Sequence, residues 1–287
     1  MKVSQVCRNK RSLSFEIYPP KKDSELRNID ATLEVLSDLK PDFISVTFGA
    51  GGSSNCNRTI ELAKKIKYKY GIEPVVHLPC LHYDRREIDG FAEVLKAEGI
   101  ENVLALRGDA RPDVPDKNDF RHSSDLISYM KSRNDFCFLG ACYPECHPES
   151  SCVISDMKCL RKKVDAGAEV LLSQLFFDNE IFYRFIDKCR IADINVPVIP
   201  GVMPVINAAQ IKRMVSICHA SVPLKFQKII TRYEDRKDAL FDAGMSYCLS
   251  QIIDLLTNNI SGIHLYTMNN PYVARKISEA VQGIINA

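Results

Sequence analysis

Glu16, Thr47, His77, Arg107 with Asp109, Tyr143 with His147, and Gln174 each stand at the end of a short apolar run, where a strand would hand over to a loop. The chemistry on offer is specific. A carboxylate can act as a general acid, a guanidinium clamps phosphate or a ring carbonyl, and a carboxamide presents a donor and an acceptor to a heterocycle edge. Glu16 comes first along the chain. Alternation along its strand faces it opposite to Phe15 and Ile17, toward the interior of whatever the strands enclose. A partly apolar setting would disfavour its ionised form and raise its pKa into the range of a useful acid. The competing reading is a salt bridge to Arg107 or a lysine.

Arg107-Gly108-Asp109 holds two charges at fixed angles around a glycine that lets a ligand approach the backbone. The alternative is an internal Arg–Asp pair that pins the loop. Tyr143-Pro-Glu-Cys-His147-Pro sets an aromatic ring and an imidazole between rigid prolines. Arg161, Lys162 and Lys163 form a cationic turn suited to a diphosphate if it faces inward, and a solvated helix face if it does not. Gly49-Ala-Gly-Gly has neither the dinucleotide fingerprint spacing nor a phosphate-loop lysine. Gln210 is a second candidate reader of a heterocycle, or the polar face of its helix. Cys137, Cys142, Cys146, Cys152 and Cys159 crowd around His147 without the close paired spacing of metal sites, so small buried hydrophobes are expected there and no metal.

Eight apolar runs position these residues: Leu13 to Ile17, Phe43 to Thr47, Pro74 to Leu78, Val103 to Leu106, Phe138 to Cys142, Val170 to Gln174, Val196 to Pro200 and Gly262 to Tyr266. Helical segments lie between them. Strands alternating with helices imply parallel pairing, and eight such units predict a (β/α)8 barrel with its chemistry at the C-terminal mouth. Helices are expected from Asp23 to Leu39, Thr59 to Tyr70, Asp84 to Gly99, from Ser123 or Ser124, Asp156 to Ala166, and Asn179 to Ala192. The segments Asn207 to Cys218, Pro223 to Arg236 and Asp238 to Asn258 read as an extra helical insertion between strands seven and eight. At 287 residues a single domain, 1–287, is expected. The formal charge of +2, with scattered basic residues, argues against nucleic acid or an acidic membrane as partner. No apolar run is long enough to span a bilayer. Eleven cysteines behind a polar start point to a reducing cytoplasm.

Taken in order, Ser14-Phe-Glu-Ile-Tyr-Pro-Pro-Lys, Ser45-Val-Thr-Phe-Gly-Ala, His77-Leu-Pro-Cys, Leu106-Arg-Gly-Asp, Tyr143-Pro-Glu-Cys-His-Pro-Glu, Lys163-Val-Asp-Ala-Gly-Ala and Gln174-Leu-Phe-Phe-Asp resemble the methylenetetrahydrofolate reductases. The resemblance runs from about residue 13 to the C-terminus. It implies a barrel carrying noncovalent FAD that reduces 5,10-methylenetetrahydrofolate to 5-methyltetrahydrofolate, with NADH or NADPH as donor in a ping-pong scheme serving one-carbon metabolism and methionine synthesis. It gives Glu16 the role of acid, opening the methylene bridge to an iminium that hydride from flavin N5 then reduces. It places Thr47, Ala50, His77, Arg107, Gly108, Asp109, Ser123, Tyr143, His147, Asp156, Lys162 and Lys163 around FAD. Gln174 and Gln210 fall to folate, and Asp109 is shared between flavin and pterin. A homo-oligomer is expected. Asn270 stands where the family commonly has arginine, and Met214 where some members carry an aromatic ring. Those departures leave open an electron supply from a partner redox subunit. A non-catalytic folate-binding subunit is the other alternative, against which Glu16, Asp109 and Gln174 together argue. The large C-terminal regulatory domain of eukaryotic members has no counterpart in this sequence, which points to a bacterial or archaeal catalytic subunit.

Overall fold

The computed structural model describes residues 1–20, 26–48, 53–110, 114 and 116–287. Its centre is a parallel sheet of β1 (Ser12–Ile17), β2 (Phe43–Val46), β3 (Glu73–Pro79), β4 (Asn102–Leu106), β5 (Cys137–Cys142), β6 (Ala168–Ser173), β7 (Val198–Ile199), β8 (Gly201–Val202) and β9 (Gly262–Tyr266). The order is β7-β6-β5-β4-β3-β2-β1-β9-β8. The two short strands β7 and β8 flank Pro200, which has no N–H to give to a ladder. They are two halves of one run, β7 pairing with β6 and β8 with β9, so nine ladder segments make eight staves of an α/β barrel. The expected strand at Val196 to Pro200 is thus shifted and split by its own proline.

Helices α2 (Leu26–Asp38), α3 (Ser53–Lys64), α4 (Arg85–Ala97), α5 (Ser123–Lys131), α6 (Val153–Asp165) and α7 (Asn179–Ile191) follow successive strands. Their starts obey local chemistry. Asp84 accepts from the Glu87 amide at 3.0 Å while Glu87 accepts from the Asp84 amide at 2.8 Å, a closed capping box. Asp178 caps α7 in the same sense through the Glu180 amide. Two starts differ from expectation. The segment from Ser53 is helical rather than loop, six residues ahead of Thr59, and the helix ends in a π-turn at Lys65–Lys69. Helix α6 begins at Val153, one turn ahead of Asp156. The sequence Ser53-Ser-Asn is polar, and Val153 and Ile154 at the start of α6 are exposed apolar residues, so the buried apolar period does not mark either start. The expected α2 start at Asp23 lies outside the described residues. Between β8 and β9 come α8 (Ala208–Cys218), α9 (Leu224–Tyr233) and α10 (Lys237–Thr257), and α11 (Pro271–Ile285) follows β9.

An unanticipated helix, α1 (Val3–Asn9), closes the bottom of the barrel. Val3 and Cys7 join the interior cluster of Phe43, Val75, Leu104, Leu139, Val170, Leu172 and Ile199. The Val3 amide donates to Asn102 Oδ1 at 2.8 Å and Ser4 Oγ to Glu169 at 2.7 Å, both partners lying at strand starts. The outward faces of the strands, with Phe15, Ile17, Ile44 and Val46 among them, bury against α2, α10 and α11 in a second cluster. The barrel interior is therefore two-sided. Below the level of His77 the wall from β3 to β7 is apolar, whereas β9, β1 and β2 contribute His264, Ser14 and Ser45, bonded to one another.

Candidate active site

Glu16 sits one residue before the end of β1, in register with Ser45 of β2 and Tyr266 of β9. Its side chain is 23% exposed, and its Oε2 lies 3.5 Å from Nε2 of His77 on β3. Burial pushes the carboxyl up to about 8 and lowers the imidazole to about 3. Near neutral pH both are uncharged. The salt bridge that competed with the acid reading is not made. Arg107 instead grips Glu149 with both terminal nitrogens, the second at 2.7 Å, and turns its Nε to the Gly108 carbonyl at 3.1 Å. The pair that pins this loop is Arg–Glu, with the partner supplied by the next mouth segment.

Beneath Glu16 lies the polar wall. His264 is 1% exposed and has Ser14 Oγ at 2.8 Å from Nδ1 and Ser45 Oγ at 3.4 Å from Nε2. Its ring stacks on Phe43 and meets Tyr266 edge-on. Burial, with His77 nearby, holds it neutral at about 3. Tyr266 donates to the Ser173 carbonyl at 2.7 Å, tying β9 to β6 beside Gln174. Gly201 makes this possible: a Cβ there would stand 2.3 Å from the Ser173 carbonyl oxygen and 2.5 Å from the Tyr266 ring. Gln174 accepts from the Leu175 amide at 2.8 Å through Oε1, which leaves its NH2 group for an incoming acceptor. Gln210, in the first turn of α8, accepts from the Ile206 amide at 3.2 Å and is committed on its oxygen side to the helix start.

The loop after β4 turns at Gly108, whose φ of +87° favours glycine and whose Cβ would press on Pro79. Asp109 beyond it is exposed, its carbonyl accepting from His82 Nε2 at 3.0 Å. It lies close enough to influence the ionisation of Arg107, Tyr143 and Cys218. Tyr143 and His147 pack edge to face with centroids 4.6 Å apart. Burial pushes the Tyr143 phenol up to about 12. His147 accepts from the Glu149 amide through Nδ1 at 3.1 Å, so the neutral ring carries its proton on Nε2, and burial lowers its pKa further. Asp156 accepts from Ser150 Oγ at 3.1 Å. Tyr143, Asp156, Arg184 and Lys188 help line a cavity of about 250 Å³ beside this mouth segment.

The cationic turn divides. Arg161 pairs sideways with Asp165 and Asp193, Lys162 is exposed, and only Lys163 turns inward, donating to the Ala141 carbonyl. Gly140 opens its path, since a Cβ there would lie 2.6 Å from Lys163 Cδ. Thr47 is half-buried at the exit of β2, its amide on the Ile17 carbonyl and its own carbonyl on Thr59 Oγ1. Ser123 is buried in the first turn of α5 without a bond to the other candidates. Ala50 lies outside the described residues. Cys137 and Cys142 are buried in β5, whereas Cys152 and Cys159 are exposed, and among the described residues no three metal-ligating side chains converge. Among the described residues no helix is long and apolar enough to cross a membrane. His264, Ser14, Ser45, Tyr266 and Glu149 escaped the reading of the sequence. Strand alternation from Tyr266 back to His264 was the available signal for one of them.

The sequence pattern of the family described as methylenetetrahydrofolate reductase matches residues 2–282. The chain belongs to the methylenetetrahydrofolate reductase family. Its relatives include the 5,10-methylenetetrahydrofolate reductase of Escherichia coli, 33% identical over 258 residues, covering 90% of this chain and 86% of that one. Another is methylenetetrahydrofolate reductase (NADH) 1 of Arabidopsis thaliana, 33% identical over 274 residues, covering 90% of this chain. The chain spans about half the length of that plant relative, 46%. Among solved structures, an uncharacterized protein from Clostridium thermocellum, which binds two copies of 5-methyl-5,6,7,8-tetrahydrofolic acid, aligns over the whole of both chains with a TM-score of 0.68 at 14% identity. A tryptophan synthase from M. tuberculosis aligns at 0.56 and 14% identity. At that identity the two share the barrel with this reductase-family chain and nothing finer.

Proposed function

We propose that this chain reduces 5,10-methylenetetrahydrofolate to 5-methyltetrahydrofolate, with FAD as its redox group and NADH as the donor, and that Glu16 supplies the proton. The observation that carries the reading is the Glu16 carboxyl at the mouth, held protonated near neutrality by burial, in a chain of the reductase family. The bacterial relative is named for this reaction, the plant relative for NADH, and the Clostridium barrel for binding the methylated folate.

The residues at the mouth suit FAD. Lys163, routed past Gly140 and held by a carbonyl rather than a carboxylate, is a cation open to a diphosphate, and Arg184 and Lys188 add charge at the neighbouring cavity. Tyr143 and His147 offer a ring face and an N–H. Lys163, Arg107, Tyr143, His147, Asp156 and Thr47 would hold the group, which when bound supplies hydride transfer. The chain supplies orientation and the proton. Gln174 offers its NH2 to the pterin edge, Asp109 leaves its carboxylate at the rim, and Glu16 gives its proton to a bridge nitrogen so that the methylene C–N bond can open. Asn270 spends its side chain on capping α11, accepting from the Val273 amide at 3.2 Å, so that position supplies no charge to a ligand.

The test is a pair of half-reactions on flavin-loaded protein. NADH should bleach the flavin, and methylenetetrahydrofolate should restore its colour. Glu16→Gln should keep the first step and lose the second. Protein that cannot retain FAD on reconstitution, or whose reduced flavin ignores the folate, would sink the proposal.

A further inference from the structure

His77 Nε2 is an anomaly in a barrel whose other interior imidazole is satisfied at both nitrogens. It is fully buried within a side chain only 8% exposed, makes no hydrogen bond, and faces Glu16 Oε2 at 3.5 Å. Leaving a buried polar atom unpaired costs about 1–3 kcal/mol. The contact is longer than a carboxyl O–H to nitrogen bond, and a small rotation of the Glu16 carboxyl closes it. Such bonds are often long before substrate arrives.

Which atom owns the proton follows from the surroundings. The groups that face the pair are Tyr266 and His264 from β9 and Cys218 from α8, with phenol, imidazole and thiol all uncharged near neutrality. Among the described residues no cation reaches Glu16, since Arg107 is held by Glu149. His264 is already paired with Ser14 and Ser45 and cannot offset a charge on its neighbour. An ion pair between His77 and Glu16 is therefore unsupported, and the neutral pair has one proton on the carboxyl and one on the ring. An N–H at Nε2 would favour the carboxylate; a lone pair there favours the acid. The neutral arrangement is Glu16 O–H donating to His77 Nε2, with the ring proton on Nδ1.

We propose that His77 is a positioning residue, accepting a hydrogen bond from the Glu16 O–H at Nε2 so that the acid stays protonated and fixed at the mouth until the folate takes the proton. This rests on the reading of Glu16 as the acid. In the transfer, the Glu16 O–H bond breaks, the proton goes to a bridge nitrogen, the C–N electron pair stays on that nitrogen, and Glu16 is left as carboxylate. His77 keeps its charge throughout. The carboxylate then faces a lone pair, which drives its reprotonation from solvent.

Two variants separate this role from a flavin contact. His77→Phe removes the acceptor, and His77→Gln replaces it with an amide whose NH2 can donate to the carboxylate. The readouts are flavin reduction by NADH, reoxidation by methylenetetrahydrofolate, and the protonated-carboxyl infrared band of Glu16, isolated as wild type minus Glu16→Gln and followed with pH before and after flavin loading. His77→Phe, measured at saturating FAD, should slow reoxidation about tenfold. His77→Gln should move the loss of the carboxyl band, and the alkaline limb of reoxidation, down by about one pH unit. An infrared titration that is the same in both variants as in wild type, or variants that lose only flavin affinity, would overturn the proposal. If His77→Phe does not fold, the His77→Gln titration decides alone. Should wild-type protein fail to reduce the folate at all, the proposed function falls, and the infrared titration still reports on the Glu16–His77 contact.

Discussion

Replacing Glu16 by glutamine should stabilise the protein, and increasingly so as the pH rises. The carboxyl is raised from 4.5 to about 8 by burial. In that window the unfolded chain ionises freely while the fold holds the proton, so stability declines with rising pH. Below 4.5 the carboxyl is protonated in both states and the cost vanishes; above about 8 it is complete. At 1.36 kcal/mol per pH unit the window amounts to roughly 5 kcal/mol as an upper limit. Solvent reaches the carboxyl, whose side chain is 23% exposed. Residual solvation brings the expectation to about 2–4 kcal/mol between pH 5 and 8. Glutamine matches the shape of the protonated acid and carries no such term. Urea denaturation of wild type and Glu16→Gln at a series of pH values measures it, and the gap between the two should open with pH and then level off. In melting temperature the gap should reach roughly 4–8 °C for a chain of this size. Two profiles that run parallel from pH 5 to 9 would refute the buried-acid reasoning.

The two interior imidazoles act on the other side of neutrality. Both are lowered to about 3, so in Glu16→Gln, where the opposing carboxyl contribution is absent, stability should fall as the pH drops below about 6.5, by roughly 2–4 kcal/mol between pH 7 and 5, and a flat urea midpoint for that variant over that range would contradict their burial. Gly201→Ala puts a methyl 2.3 Å from a backbone oxygen and should cost about 3 kcal/mol, read as a lowered urea midpoint; an unchanged midpoint would show that β8 gives way freely. Lys163→Ala should weaken FAD binding about tenfold with little loss of stability, and equal affinities by flavin fluorescence quenching would remove Lys163 from the diphosphate site.

The barrel was legible because parallel strands buried on both faces read as continuous apolar runs, and those runs recur along the chain. Where the reading failed, the cause was local. Helix α1 is one short amphipathic turn pair, and its interior-facing Val3 and Cys7 mean nothing until the strand starts they cover are assembled. The start of α3, Ser53-Ser-Asn, carries no apolar period, and the apolar residues that open α6, Val153 and Ile154, are exposed rather than part of its buried face. The seventh stave is split because Pro200 interrupts the ladder, a consequence of one missing N–H that run length alone does not show. At the mouth, Glu16 was identifiable from strand alternation, but its environment was not. The alternative of a salt bridge to Arg107 was settled by Glu149, a residue 42 positions away that nothing in local pattern ties to the arginine. The cationic turn shows the same limit: periodicity could not say that Lys163 alone turns inward, because that depends on the missing Cβ of Gly140 in β5, the strand before its helix.

The polar wall explains why a carboxyl can stay protonated in this position without the barrel collapsing onto it. Burying serine hydroxyls and an imidazole inside a sheet is costly unless each finds a partner. Ser14, His264 and Ser45 satisfy one another, so that part of the wall is neutral, closed and rigid. It offers Glu16 neither a cation to ionise it nor a cavity to fall into. The unsatisfied end of the wall is His77 Nε2, and that is the end facing the carboxyl. The floor is assembled from β1 and β9, residues 12–17 and 262–266, which pair only when the barrel closes on itself. Tyr266, the register partner of Glu16, is then locked to β6 through Ser173. The raised proton affinity of Glu16 is thus a property of the closed ring rather than of β1. A chain that forms the apolar wall from β3 to β7 but leaves β9 undocked would present Glu16 as an ordinary solvated carboxylate, already ionised at neutral pH and useless as an acid.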